Sequence, residues 1–316
     1  MHIHTDVFTS LHTLITSIHS LVSPLTDPQR AAKTRGLERY RLREYLDAES
    51  DLTVAATAGD AESQYALGEI FRRREGATSG TAKKWYELAG AQDHVYSLMR
   101  LGDAGSLEKA SKLARERAEI GDSDAMLQMY ELTEDIVWLK KANVAGNGEA
   151  IYIQTLLYEN DESLRPADSK WDSLRDIMLR KSARAGFPPA MTWLSNLKPM
   201  YRNIPYQQYW LLKRLEHNDL NAVLTYSYAL MHYFDTEEGL DRFNFRFDFT
   251  KGLGLLWLVV NNTREYFRHR EAANLLATLT SRSTPEQIEA GKAFAREWKD
   301  AHPPLSAYAL TYSDLK

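Results

Sequence analysis

Cysteine is absent from this chain. That excludes disulfides, thiolate nucleophiles, a zinc ribbon and a lipid-anchored cysteine, while leaving the compartment open. Long apolar runs are missing as well. The longest, GLGLLWLVV at 252–260, is about half the roughly 18–20 residues needed to span a bilayer. It reads as a buried helix, so no integral membrane segment is expected. No cluster of five or six Lys/Arg occurs, and the net charge is −4 with a pI of about 6.2. A duplex-binding protein presents a basic face, so nucleic acid is set aside as a partner. The Gly-x-Ser-x-Gly elbow, the P-loop, His-Glu-x-x-His and the dinucleotide fingerprint are missing too. His2, His4, His12 and His19 crowd the N-terminus without acidic ligands at helical spacing, and read as surface residues. No metal or cofactor is expected.

What is present is an ordinary folded composition, 44% hydrophobic and 26% charged over 316 residues, enough for two domains or one repeat array. The first residues lack a basic start and a continuous apolar stretch, so they do not read as a signal peptide. The expected location is the cytoplasm by default, or the periplasm if the natural start was trimmed. Phe8, Leu11, Ile15, Ile18 and Val22 fall instead at helical spacing, which predicts a short amphipathic helix.

The informative feature is a repeat. AATAGDAESQYALG at 55–68 and AGAQDHVYSLMRLG at 89–102 overlay without a gap, 34 residues apart. A helical period of this length marks stacked units that bury a shared core. Each unit places Gly, Asp or Asn four residues before a small side chain: Gly59 and Ser63, Asp93 and Ser97, Gly121 and Ala125, Gly146 and Ala150, Gly186 and Ala190, Asn218 and Ala222. The first member suits the left-handed turn that ends a helix, and the small one lets the next helix approach closely. Leu67 and Gly68 belong to the repeat pattern of the opening unit. Ala82, Trp85 and Ala89 share one face of its second helix. At the far end, Thr284, Pro285 and Gln287 spell a capping box opening a helix that runs to about Asp300.

The stretch from Ala55 to Gly68, followed by Ala82, Trp85, Tyr86 and Ala89, resembles the Sel-one-like repeat, a helix-turn-helix relative of the tetratricopeptide repeat. Its pattern is Ala-Ala-x-x-Gly-x-x-x-Ala-x-x-x-Leu-Gly, then a loop and Ala-x-x-Trp-Tyr-x-x-Ala-Ala. The likeness weakens through about Ala222 and covers about half the chain. The interhelix loop is replaced by residues 74–80, the third unit lacks Leu-Gly, and beyond Asp235 the register fails. The resemblance implies an all-α, right-handed α-solenoid of antiparallel helix pairs. The expected organisation is a helical cap over 1–50, degenerate repeats over 51–235, and an aromatic-rich helical part over 236–316. It also implies a non-enzymatic protein-binding role. In the bacterial branch some members are immunity proteins that block lipase-like effectors of the type VI secretion system, and that is the specific expectation here. An adaptor in regulation or envelope assembly is the alternative.

Aromatic residues are densest from Trp193 onward, and interface hot spots favour Trp, Tyr and Arg. The candidate partner-binding residues are Trp193, Tyr201, Tyr206, Tyr209, Trp210, Tyr233, Phe243, Phe245, Phe247 and Phe249, rimmed by Arg264 and Arg268, with Arg270 beside them. Each aromatic has a plain alternative as core filling between stacked helices. In DRFNFRFDF (241–249) the Phe residues alternate with polar ones, which predicts an extended insertion with an aromatic face, or else a structural segment. His232 and Asp235 beside Glu237 and Glu238 leave an enzyme as a further alternative.

Overall fold

Nearly every helix of this protein begins on the residue, or within a few residues, of the turn that ends the one before it. The computed structural model describes residues 24–167, 170–196, 203–233, 243–308 and 310–312. The expected amphipathic helix at the N-terminus, the four N-terminal histidines, Tyr201 and Asp235 lie outside the described residues. Among the described residues the regular structure is helical. It comprises α1 (Asp27–Arg41), α2 (Tyr45–Thr57), α3 (Ala61–Glu75), α4 (Gly80–Ala91), α5 (Val95–Leu101), α6 (Ala104–Glu119), α7 (Ser123–Thr133) and α8 (Ile136–Val144). Then follow α9 (Gly148–Asn160), α10 (Trp171–Arg184), α11 (Pro188–Ser195), α12 (Ile204–Glu216), α13 (Leu220–Leu230), α14 (Phe249–Asn262), α15 (Tyr266–Thr280) and α16 (Pro285–Ala301). The fold is an all-α array of helix pairs, most helices packed on their neighbours in sequence as short connections require, with α16 instead packed on α14. Two compact units divide the chain, residues 1–40 with 45–110 and residues 41–44 with 111–316. The repeat register therefore runs through both.

One corner recurs along the array. Gly59, Asp93, Gly121, Gly146, Gly186 and Asn218 all have positive φ, between 48° and 100°. At the first corner Asp60 N–H donates to Ala55 O and Gly59 N–H to Ala56 O, the paired bonds of a Schellman C-cap. The same two bonds recur from His94 and Asp93, Asp122 and Gly121, Asn147 and Gly146, Phe187 and Gly186, and Asp219 and Asn218. The residue after the turn is at once the N-cap of the next helix. The side chains of Asp60, His94, Asp122, Asn147 and Asp219 accept from the backbone N–H of Ser63, Ser97, Ala125, Ala150 and Ala222. A cap of this kind contributes ~1 kcal/mol. Phe187 makes no side-chain cap, and Pro188 opens α11 in its place. The residues at the third helical position, Ser63, Ser97, Ala125, Ala150, Ala190 and Ala222, are all fully buried. A larger side chain there would overpack, at a cost of ~1–3 kcal/mol.

In the first unit Leu37, Ala48, Leu52, Ala56, Ala66, Leu67 and Ile70 form the core, with Trp85 half-buried against it. Ala82, Tyr86 and Ala89 are buried on the inner face of α4. Glu69 is buried there and fully engaged. Its carboxylate accepts from Arg72 (3.0 Å), Arg100 (2.7 Å) and the Tyr86 hydroxyl (2.7 Å). Burial pushes this carboxyl up, but the Arg72 hydrogen bond, the Arg100 charge and the Tyr86 hydroxyl outweigh it and hold it below the usual range.

The second unit centres on α14, whose Leu253, Leu255, Leu256, Leu258 and Val259 join Leu211, Leu220, Val223 and Phe243. Gly254 permits a close crossing: a β-carbon there would lie 2.5 Å from the Gly291 carbonyl oxygen of α16. Thr284 and Gln287 form the capping box that starts α16. The alternating segment is not helical over residues 243–248, yet it presents no continuous aromatic face. Phe243 is 1% exposed and Gln208 holds its carbonyl. Phe245 and Phe249 pack half-buried against the same core, and Phe247 alone of the four is 56% exposed. The segment serves chiefly as a lid on its own unit.

Candidate functional site

A wide concavity of the second unit is built where α14 gives way to α15. Thr263, fully buried, anchors this corner, and its hydroxyl accepts from Glu265 N–H at 3.0 Å. Arg264 folds back, its guanidinium donating to the carbonyls of Val260 (2.7 Å) and Thr263 (3.0 Å) at the end of α14. Glu265 caps α15 by accepting from Arg268 N–H at 2.7 Å, a carboxylate where the helix dipole favours one. The first turn of α15 then projects outward. Tyr266 is 63% exposed and Phe267 73%, with rings edge-to-face at 5.2 Å. Arg270 donates to the Tyr266 hydroxyl at 3.0 Å.

Beside this turn opens a cleft of about 670 Å³, lined by Arg43, Asn221, Phe267, Arg268, Arg270, Glu271, Asn274 and Tyr308, among others. A second chamber of about 370 Å³ shares Asn221, Arg268 and Glu271 with it and continues to Thr192, Asn196, Arg214, Thr225 and Tyr228. Arg214 is buried between Asp219 (3.0 Å) and the Ser195 hydroxyl (3.3 Å), and its Nε makes no hydrogen bond. Arg268 pairs with Glu271 at 3.3 Å. Burial, reinforced by the charge of Glu271, pushes the Tyr228 phenol well above its ordinary range, so it stays a neutral donor. The Tyr308 hydroxyl donates to His217 O at 3.0 Å. Among the described residues neither Arg43 nor Arg270 has a carboxylate partner. The cleft thus presents three guanidinium groups, two of them without a carboxylate among the described residues, with amides and an exposed ring in a chain of net charge −4, an arrangement suited to carboxylates flanked by apolar groups.

Of the residues predicted at a partner surface, the structure brings Arg268 to the shared wall and Tyr233 to its margin, where its ring lies 5.4 Å from that of Tyr228. Trp210 and Phe243 are core residues and present nothing outward, because helix stacking needs their volume inside. Tyr206, Phe245 and Phe249 are half-buried, and Arg264 is spent on the end of α14. Trp193 lies under the Arg175 guanidinium (5.3 Å) and Tyr209 on the edge of Trp210 (4.9 Å); both are exposed, but neither lines the chambers. On α3, Arg72 pairs with Glu69 and Arg74 with Glu49. His232, weighed as a general base, occupies a helix corner with φ 52°, and its Nε2 lies 2.9 Å from Phe245 O. Arg43, Arg214, Glu271 and Tyr308 were missed. They come from distant stretches that only the fold assembles, and no local pattern marks them. Among the described residues no group of three or more His, Asp or Glu is placed to hold a metal, and no helix is long and apolar enough to cross a membrane.

No family model matches this chain, and no curated protein matches it. Among solved structures it is similar to a protective antigen present in uropathogenic Escherichia coli strains and displaying an SLR fold, with 16% identity and a TM-score of 0.45 over 88% of this chain. The chain spans 62% of the length of that antigen. It is similar also to a Sel1 repeat protein from Oxalobacter formigenes, with 16% identity and a TM-score of 0.43, over 86% of this chain and 92% of the other.

Proposed function

We propose that this protein works by holding another protein, without turnover, and that the partner is a secreted antibacterial effector which it keeps inactive. The observation that carries the binding reading is the first turn of α15. Two large exposed rings, Tyr266 and Phe267, stand beside the guanidinium groups of Arg43 and Arg270, which have no carboxylate partner among the described residues, over a cleft of about 670 Å³. Partner surfaces concentrate their energy in such aromatic and arginine anchors, and an isolated patch of this kind is otherwise a liability for solubility. Tyr233, Arg268 and the exposed Phe247, Trp193 and Tyr209 are the further contacts proposed. The effector reading, with a phospholipase of the type VI system as its specific form, is supported by the sequence resemblance of Ala55 to Ala89. The protein would act by covering the toxin's active site or its membrane-facing surface. Helix-dipole and arginine contacts to carboxylates fit either.

Co-purification with the product of the adjacent gene, followed by a toxicity-rescue assay, tests this. Capture together with rescue supports the reading. Capture of a constitutive partner that is not toxic transfers the protein to the adaptor class. A turnover that is lost when His232 and Asp235 are both substituted would favour an enzyme instead, and activity surviving that change would dispose of the site.

A further inference from the structure

After α16 the chain runs along the second unit again, described over residues 303–308 and 310–312, and its contacts change character partway along. Up to Ala307 it is anchored by buried groups. Leu305 is in the core. Ser306 exchanges two backbone hydrogen bonds with the α12–α13 corner, Leu220 N–H to Ser306 O (3.0 Å) and Ser306 N–H to Asn218 O (3.2 Å). Asn218 also donates to Pro303 O at 2.7 Å, and Ala307 N–H donates to Arg41 O at 3.1 Å. Beyond Tyr308 the hold is by partly exposed residues. Leu310 rests half-buried on the α7–α8–α9 cluster of Leu127, Leu139 and Ile153. Thr311 donates through N–H (2.5 Å) and Oγ1 (2.6 Å) to the Glu149 carboxylate in the first turn of α9. Leu310 and Tyr312 wall a cleft of about 260 Å³ whose other sides include Tyr130, Ile153, Leu156 and Leu157.

We infer that residues 310–312 are a displaceable strap over this cleft, and that an extended peptide segment of a partner enters by taking the strap's place. The strap itself states the chemistry the cleft accepts: an aliphatic side chain on the α7–α9 groove, a backbone and hydroxyl donor for Glu149, then an aromatic ring. Segments with few buried contacts open locally at little cost, whereas the anchored stretch before them stays closed. Glu149 keeps a favourable place at the helix N-terminus whether or not Thr311 is bound. A self-occupied cleft lowers the apparent affinity for an incoming segment by the fraction of time it stands open. This inference concerns a different surface from the α15 cleft and does not rest on the effector reading.

The test uses the full chain and a fluorescent peptide of residues 305–316, LSAYALTYSDLK. Leu310→Asp ejects the strap by placing a charge on the apolar groove beside Glu149. The variant is expected to bind the peptide at least about tenfold more tightly than the wild type, since its cleft is open. Adding Leu156→Asp is expected to abolish that binding. Equal affinity for wild type and Leu310→Asp overturns the strap, as does a folded Leu310→Asp protein that binds nothing. Should Leu310→Asp not fold, a chain ended after Tyr308, which keeps the bonds of Ser306, Ala307 and Tyr308, takes its place with the same two outcomes. A wild-type dimer dissociated by the peptide would also overturn it, because the segment would then sit on a second copy.

Discussion

Gly68→Ala is the sharpest test of how these helices meet. The added methyl would lie 2.3 Å from Cε1, 2.6 Å from Cδ1 and 2.9 Å from Cζ of Tyr86, where carbon contacts normally sit near ~3.5–4.0 Å. The ring must therefore move by more than a bond's length. It is buried, and its hydroxyl donates to Glu69, which also receives Arg72 and Arg100. Overpacking costs ~1–3 kcal/mol, and losing a hydrogen bond to a charged group ~1.5–3 kcal/mol. The better helix propensity of alanine returns about 1 kcal/mol. The expected net loss is about 2–4 kcal/mol. Urea unfolding followed by far-UV circular dichroism measures it, with amide exchange in α3 and α4 as a second probe because repeat arrays need not unfold in one step. Tyr86→Leu in the Gly68→Ala background should recover part of the loss, giving a coupling of ~1 kcal/mol or more. Alanine at Gly80, where nothing lies within 4 Å, should be neutral or slightly stabilising. A Gly68→Ala protein as stable as the wild type would refute the close-packing argument.

Three further outcomes are expected. His94 caps α5 by accepting from Ser97 N–H at 3.2 Å, which requires an unprotonated Nδ1. Burial lowers its pKa against the opposing charges of Glu62 and Asp60. The folded state therefore binds fewer protons than the unfolded one, and stability falls as pH drops below the unfolded value of about 6.5. His94→Asn keeps a cap without a titration, and should flatten urea midpoints measured between pH 7 and 5. Phe243→Ala should cost ~3–5 kcal/mol and Phe247→Ala under about 0.5 kcal/mol; equal losses in thermal unfolding would contradict the assignment of one to the core and one to the surface. Gly121 has φ 100° with open space around its α-carbon, so Gly121→Ala should lose ~1–2 kcal/mol from backbone strain alone, read from the urea midpoint.

The helix array was legible because its signal is local. A left-handed residue, a capping side chain and a small buried residue fall within five consecutive positions, as in Gly59, Asp60 and Ser63, and each leaves its residue type in the sequence. The corners drift in spacing from about 25 to 40 residues, yet the chemistry of each stays recognisable. The Thr284 box was readable for the same reason. The aromatic residues were not separable in this way. Phe243 and Phe247 occupy equivalent places in an alternating string, and which one turns inward is settled by the α14 core and by Gln208, both distant in sequence. Trp210 and Tyr209 are adjacent, one buried and one exposed, because the α11–α12 contact selects a single face. The cleft is less legible still. Arg43 precedes α2 and Tyr308 follows α16, so its walls meet only after the second unit has folded. Arg270 and Phe267 were visible as an aromatic and basic stretch, but not as the rim of a cavity.

The account stands or falls on whether the first turn of α15 holds a partner protein. Titration of the captured partner by calorimetry against wild type, Phe267→Ala with Arg270→Glu, and Leu107→Ala as a surface control measures this directly. Loss of a central aromatic and an arginine is expected to weaken binding by about 2 kcal/mol or more, over tenfold in Kd, with the helical circular dichroism unchanged. The same Kd for the double variant and the wild type would contradict it.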